Sequence, residues 1–366
     1  MKQLLSILLI VFTISACKNA PEFEKDGGTR IKVEVQGGDK EITATAAVLA
    51  TRLDKYGVKN AHVSRMDKKA ILVIEIPGKN DMERIRKLLQ SSANLEFWET
   101  WENAEMQTSL MKLNTKLAEE QPAAENTSRP ETLLAEAPNT GGSKSLDEQL
   151  AEVDKQERDQ DLSEEARLDS LKHANPLYAL LIPQYKYDDR NQVTGIQEGP
   201  VVGSVLVSDT AKVNVLLQKG ISMHILPYGS KFCWEAKPFD QENKYLRLIA
   251  LRENRMGTSH MKGDVQDASV VFSHDASPQI SMTMSADAAR KWQMMTRENV
   301  GRSIAILVDG QVFSFPTVMQ EISGGRSSIT GRFTMEEAKD LADLLSAGSL
   351  PIPVRIVEEE LVGPAK

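Results

Sequence analysis

The sequence predicts an α+β fold in two globular parts separated by a long charged insertion, and three observations carry that expectation. Segments with the period of a strand alternate with segments of helical period over residues 29–101, and again over 199–350. Between them, from about Asn103 to Lys172, Glu, Ala, Gln, Lys and Asp displace the large apolar residues, and breakers recur at Pro122, Pro130, Pro138 and Gly141-Gly142. Finally, 41% of the 366 residues are hydrophobic and 26% charged, a balance that supports real cores rather than a disordered chain.

In the first part, Ile31, Val33 and Val35 alternate as a strand, and Ile42, Ala46, Leu49 and Leu53 follow at helical spacing up to Gly57. A second strand is expected near His62-Val63 and a third over Ala70 to Ile76, stopped by Pro77-Gly78. Asn80 and Glu83 read as a capping pair for a helix carrying Met82, Ile85, Leu88 and Leu89, and Leu95 to Trp98 reads as a fourth strand. The order βαββαβ is that of a ferredoxin-like base. The insertion, helix-prone over Leu146 to Leu171, is expected to form one or two exposed helices with flexible joints.

The second part begins with a strand over Val201 to Val207 and a helix over Thr210 to Lys219, with further strands expected at Ile221–Leu226, Lys231–Ala236 and Tyr245–Leu251. Ala268–Phe272 and Gln279–Met284 should pair across Asp275 to Pro278, before a helix from Ser285 to about Val300 with Ala288, Trp292 and Met295 on one face. Ser303–Val308 and Gln311–Phe315 flank Asp309-Gly310, the residues that a tight hairpin turn with positive φ favours. Thr334 and Glu337 form a capping box for a helix burying Ala338, Leu341, Ala342 and Leu345, closed by Gly348, and Val354 to Val357 can add one more strand after Pro351-Ile352-Pro353.

At the amino terminus, Lys2 precedes an apolar run from Leu4 to Ala16, too short to span a membrane and of the length of a signal-peptide core. Ile14-Ser15-Ala16-Cys17 has small residues before a cysteine, as lipoprotein processing requires, with the Cys17 thiol taking the lipid; a plain secretory signal with an incidental cysteine is the alternative. Cys233, the other cysteine, lies in an apolar stretch without a flanking base and reads as buried and inert.

Several functions are disfavoured. The net charge of −8 and the lack of a basic stripe argue against nucleic acid as partner, and no apolar run reaches the ~18–20 residues of a membrane span. His62, His173, His224, His260 and His274 are scattered, with no zinc spacing, and no nucleophile elbow is present. Gly324-Gly325-Arg326 lacks the context of a phosphate loop and reads as a turn; Met256, His260 and Met261 could offer soft ligands to copper but equally belong to a methionine-rich core. Neither an enzyme nor a cofactor is indicated.

The run from Arg297 to Gly310, the runs Ile322 to Arg326 and Ile329 to Gly331, then Phe333 to Ala342, Ala347 to Pro353, and the closing Val357-Glu358-Glu359 with Val362-Gly363-Pro364 resemble the SecD family, accessory subunits of the bacterial Sec export channel. Arg52 to Val58 resembles it too, Asp26-Gly27-Gly28 is a weaker echo, and Gly199 to Gly203 with Asp209 to Asn214 is similar to the fused SecDF type.

The resemblance implies the first periplasmic domain of SecD: a base completed by the returning last strand, and an inserted head that contacts emerging polypeptide and swings on the base. The expected segmentation is a signal peptide over 1–16, a tether over 17–28, the base over 29–102, the charged insertion over 103–198, the head over 199–350, and the return strand and terminus over 351–366. Gly199, Pro200, Pro351 and Pro353 would be the hinges. The implied partners are Sec translocon components and unfolded exported polypeptides, with Phe313, Phe315, Met319 and Phe333 as binding candidates or ordinary core, in a periplasmic protein anchored by lipid. Ser314-Phe315-Pro316 departs from the small residue usual in the family, and the family's membrane helices with their proton-relay positions have no counterpart in these residues. An envelope lipoprotein that keeps the fold without an export role is the second reading.

Overall fold

The computed structural model describes residues 21–66, 70–120, 169–254 and 259–364. The run expected as a signal peptide, Cys17, Met256 and half of the expected insertion (121–168) lie outside the described residues. In chain order the elements are α1 (Pro21–Asp26), β1 (Gly28–Val35), α2 (Asp39–Lys55), β2 (His62–Arg65), β3 (Ile71–Pro77), α3 (Met82–Gln90), β4 (Leu95–Glu99) and α4 (Asn103–Glu119). They continue with β5 (Ile182–Pro183), β6 (Tyr185–Tyr187), β7 (Val193–Ile196), β8 (Val201–Leu206), α5 (Thr210–Ser222), β9 (Ser230–Trp234), β10 (Tyr245–Arg252) and β11 (His260–Lys262). The last are β12 (Val265–Phe272), β13 (Pro278–Met284), α6 (Ala286–Glu298), β14 (Ile304–Val308), β15 (Gln311–Ser314), β16 (Arg326–Ile329), α7 (Met335–Ala347) and β17 (Val354–Val362).

The described residues form two compact units, one from those of 21–95, 263–286 and 326–364, the other from those of 96–262 and 287–325. In the first, an antiparallel sheet has the order β17-β1-β3-β2. Alternation puts Ile31, Val33 and Val35 of β1 on one face with Leu72, Ile74 and Ile76 of β3, and Ile42, Leu49 and Leu53 of α2 and Ile85 and Leu89 of α3 cover that face. Asp81, rather than Asn80, caps α3: its Oδ1 accepts from the Glu83 and Arg84 amides, while the Asn80 side chain donates to the Pro77 carbonyl.

The place expected for the fourth strand of the base belongs to β17. It pairs with β1 from Gly28↔Val362 to Val35↔Val354, whereas β4 joins a sheet of the second unit. Ion pairs fasten β17: Lys32 with Glu358, Arg86 with Glu359, and Arg30 with Glu360. The tether expected over 17–28 is folded from Pro21, since Phe23 is buried and the Arg30 guanidinium lies 5.4 Å from its ring centre.

The two compact units do not coincide with the expected base and head segments. Residues 263–286 and 326–350 share the unit of the base, because the antiparallel sheet β12-β13-β16 packs against α7 and α7 packs against α2. Arg84 of α3 grips Asp340 of α7 through two hydrogen bonds (3.1 and 2.5 Å). The β12–β13 pairing across the Asp275–Ser277 turn, and the Thr334–Glu337 capping box, are as expected.

The second unit holds two four-stranded sheets, β5-β8-β10-β9 and β11-β4-β14-β15. Bridges at Thr100↔Leu251 and Glu235↔Val312 tie β10 and β9 to the second sheet, and Trp98, Cys233, Ile249, Leu251, Ala305, Leu307 and Val312 pack together there. Two expectations fail in this unit. Residues 103–119 are a core helix, with Met106, Leu110, Leu113 and Leu117 buried against α5 and Leu177; the helices cross so closely that a Cβ on Gly220 would meet Leu113 Cδ2 at 2.6 Å. Ile221–Leu226 is no strand, because α5 runs on to Ser222 and His224, with φ of 57°, turns the chain so that the Ile225 amide returns to the Gly220 carbonyl.

Candidate functional site

Of the runs that carry the family resemblance, Arg297 to Gly310 lies in the second unit, around β14 and the end of α6, whereas Arg52 to Val58, Phe333 to Ala342 and Ala347 to Pro353 lie in the first. Asp309 (φ 51°) and Gly310 (φ 79°) make the tight turn that fixes the register of the hairpin, and every residue of β14 is buried. Asn299, just past α6, donates from Nδ2 to the Met295 carbonyl (2.9 Å) and to Oε1 of the buried Glu99 (3.2 Å). Arg252 holds the other oxygen of that carboxylate at 2.6 Å. Arg302 reaches Glu105 Oε2 (2.9 Å) and the Thr100 carbonyl (3.3 Å). Burial pushes the Glu105 carboxyl up, but the Arg302 hydrogen bond and the Glu102 backbone outweigh it and leave the carboxyl below its usual range. These motif polar groups therefore act as fasteners of β4, α4 and α6. Sequence reading missed the Glu99–Arg252–Asn299 link, because its members lie about 150 and 200 residues from Glu99 along the chain.

The loop after β15 is pinned along its length. The Ile304 amide donates to the Pro316 carbonyl (3.1 Å), the Val318 amide to Arg302 (2.9 Å), the Gly301 amide to Val318 (2.8 Å) and the Ile322 amide to Thr296 Oγ1 (3.0 Å). On this fixed backbone Val318 points into the core while Met319 is 83% exposed. Val300, which pairs with Val318, is exposed as well. Phe313 and Phe315 are half-buried, Phe315 against the core beneath the hairpin. Phe333 is half-buried and belongs to the other unit, so the four candidates are not brought together in one unit.

The expected hinges do not lie where the chain passes between units. Gly199 and Pro200 are inside the second unit, where the Gly199 amide donates to Glu102 Oε2 (2.9 Å), the Asn103 amide to the Gly199 carbonyl (2.7 Å) and the Ala250 amide to Pro200 (3.1 Å). Pro351 and Pro353 are inside the first, flanked by the buried Leu350, Ile352 and Val354. The crossings fall after Leu95, Lys262, Ala286 and Gly325.

Cys233, His260 and Met261 are each buried or stacked. Burial pushes the Cys233 thiol up, against a smaller opposing pull from Lys231. His260 stacks on Trp98 with ring centres 4.1 Å apart, the Lys231 ammonium lies 4.3 Å from the same indole, and Trp98 Nε1 donates to Glu96 (2.8 Å). Met261, beside His260, is buried. Among the described residues no group of three His, Cys, Asp or Glu side chains is placed to hold a metal ion. Gly324 and Gly325, both with positive φ, turn the chain into β16.

Two family models match the chain: SecDF P1 head subdomain over residues 249–352, and the N-terminal part of the P1 domain of protein translocase subunit SecDF over residues 42–102. Protein translocase subunit SecD of Rhodothermus marinus is 32% identical over 336 residues, which are 90% of this chain and 48% of the relative. Protein translocase subunit SecDF of Thermus thermophilus is 40% identical over 101 residues, 28% of this chain and 14% of that protein. The crystal structure of SecDF in its super-membrane-facing form aligns at 20% identity over 93% of this chain and 31% of that one, with a TM-score of 0.49. The chain thus spans about half the length of the relative that it matches over nearly all of its own. Two P1 models on the segments that build both units, together with that relative, establish that this chain carries a SecD P1 periplasmic domain.

Proposed function

We propose that this chain assists Sec-dependent protein export by binding the emerging polypeptide non-enzymatically, from the periplasmic side of the envelope, tethered by a lipid on Cys17. The observation that carries the reading is Met319, an 83% exposed apolar side chain on a loop that four backbone amides hold still, within the segment matched by the P1 head model. A thioether on a flexible stem adapts to clients of different sequence, and half-buried rings such as Phe313 and Phe315 add contact area with little loss of side-chain freedom. A fixed backbone means that the ordering cost of binding falls on the client rather than on this loop. Sec translocon components are the proposed neighbours. Among the described residues no helix is long and apolar enough to cross a membrane.

The test is equilibrium binding of a permanently unfolded exported polypeptide, followed by fluorescence anisotropy. Met319→Asp is expected to weaken binding about tenfold while leaving the melting temperature unchanged, because the side chain is largely in water. Equal affinity of the variant, or no binding by the unaltered protein, contradicts the reading. The second outcome, joined to an envelope defect with normal secretion on deletion, favours the envelope role instead.

A further inference from the structure

Between the two segments matched by the family models, residues 185–196 form a two-stranded hairpin that belongs to no larger sheet. Its register sets Tyr185 opposite Ile196 and Tyr187 opposite Val193, so these four apolar side chains share one face. Three of the four are turned to solvent, Tyr185 at 37%, Tyr187 at 55% and Val193 at 57% exposed, while Ile196 is half-buried. The polar side of the hairpin is the satisfied one, with Lys186 paired to Glu198 at 2.7 Å and Thr194 Oγ1 donating to the Lys186 carbonyl. A hairpin with its apolar side outward inverts the usual arrangement, and an unsupported two-stranded sheet is marginal in water.

We infer that this face packs against the same face of a second copy of the chain about a two-fold axis. Charge selects that occupant. The chain carries a net −8, so two copies repel over most of their surfaces, but in the hairpin Lys186 and Arg190 balance Asp188 and Asp189. Asp188 is consumed by the turn, its Oδ1 accepting from the Arg190 and Gln192 amides at 2.9 and 2.8 Å, and Lys186 by Glu198. Asp189 and Arg190 therefore remain at the tip with no side-chain partner among the described residues. A two-fold axis sets Arg190 of each copy against Asp189 of the other, which makes the surface complementary to itself. Four side chains from each copy make a small contact, so the dimer is weak and reversible.

Sedimentation equilibrium of the full chain across the micromolar range tests this. A reversible monomer–dimer equilibrium is expected, with dissociation at least tenfold easier for Val193→Lys, a change at an exposed position that leaves the melting temperature unaltered. Asp189→Arg alone, which sets four arginines around the axis, should also weaken the dimer, and the exchange Asp189→Arg with Arg190→Asp should restore it. A wild-type chain that stays monomeric, a Val193→Lys chain that dimerises equally well, or a single reversal no weaker than the exchange overturns the inference. So does a monomeric wild type whose hairpin binds unfolded polypeptide in a Val193-dependent way. These readouts do not involve Met319, so they stand or fall apart from client binding.

Discussion

Replacing Arg52 by methionine is expected to destabilise the first unit by about 3–4 kcal/mol, the cost of leaving several buried carbonyls without donors. Arg52 is fully buried. Its Nη1 donates to the carbonyls of Leu88 (2.9 Å) and Ser91 (2.5 Å), its Nη2 to those of Ser92 (3.3 Å) and Gly348 (3.1 Å). Three of these acceptors end or follow α3 and the fourth follows α7, where unsatisfied carbonyls and the negative end of the helix dipole favour a cation. One guanidinium therefore joins α2, α3 and α7, and sets the path of the chain into β17. Methionine keeps much of the stem's packing and removes the donors, so urea unfolding would report the polar loss. Lysine, with a single ammonium, should recover at most about half of it. Equal stability of the methionine variant would show that those carbonyls find other donors.

The second large effect is expected at Leu110→Ala, with a loss of about 2–5 kcal/mol from the second unit. Met111→Ala, one residue further along the same helix, should stay within about 0.5 kcal/mol, since Met111 is 59% exposed while Leu110 has no exposure. The contrast separates a core helix from an exposed one. If α4 were part of a solvated insertion, both substitutions would be nearly silent in thermal and urea unfolding.

Much of the fold is legible in the sequence wherever local chemistry is sufficient. The alternation of Ile31, Val33 and Val35, the Asp309-Gly310 turn, and the Thr334–Glu337 box each determine their own element and appear as expected. The failures occur where a distant segment decides. Leu95 to Glu99 reads as a strand and is one, but nothing local says that β4 joins another sheet; the last strand, more than 250 residues later, takes the edge beside β1, as the family resemblance and not the local pattern implies. Met106, Leu110, Leu113 and Leu117 do have the spacing of a buried stripe; the charged residues between them obscured it, although those simply form the outer face of α4. Arg52 misleads in the opposite way, since helical periodicity assigns a charged residue to solvent and only the converging helix ends explain its burial.

The site divides along the same line. Phe313 lies in the hairpin that the sequence marks and Phe315 and Met319 follow it, and the hairpin forms, so these three share the second unit. Phe333 stands before α7, which α2 and the β12–β13 pair draw into the first unit. The expectation of hinges at Gly199, Pro200, Pro351 and Pro353 rests on backbone chemistry alone. A glycine with positive φ and three prolines are equally suited to fixed bends, and here hydrogen bonds and buried neighbours hold them within the units.

Photocrosslinking in living cells tests most directly whether this chain grips exported polypeptide. A photoactivatable residue is placed at Met319, and export of a second protein is arrested part-way. An adduct between the two chains is predicted from Met319, and none from Leu361, which is equally exposed on β17 of the other unit. No adduct from Met319, or the same yield from both positions, would contradict the account.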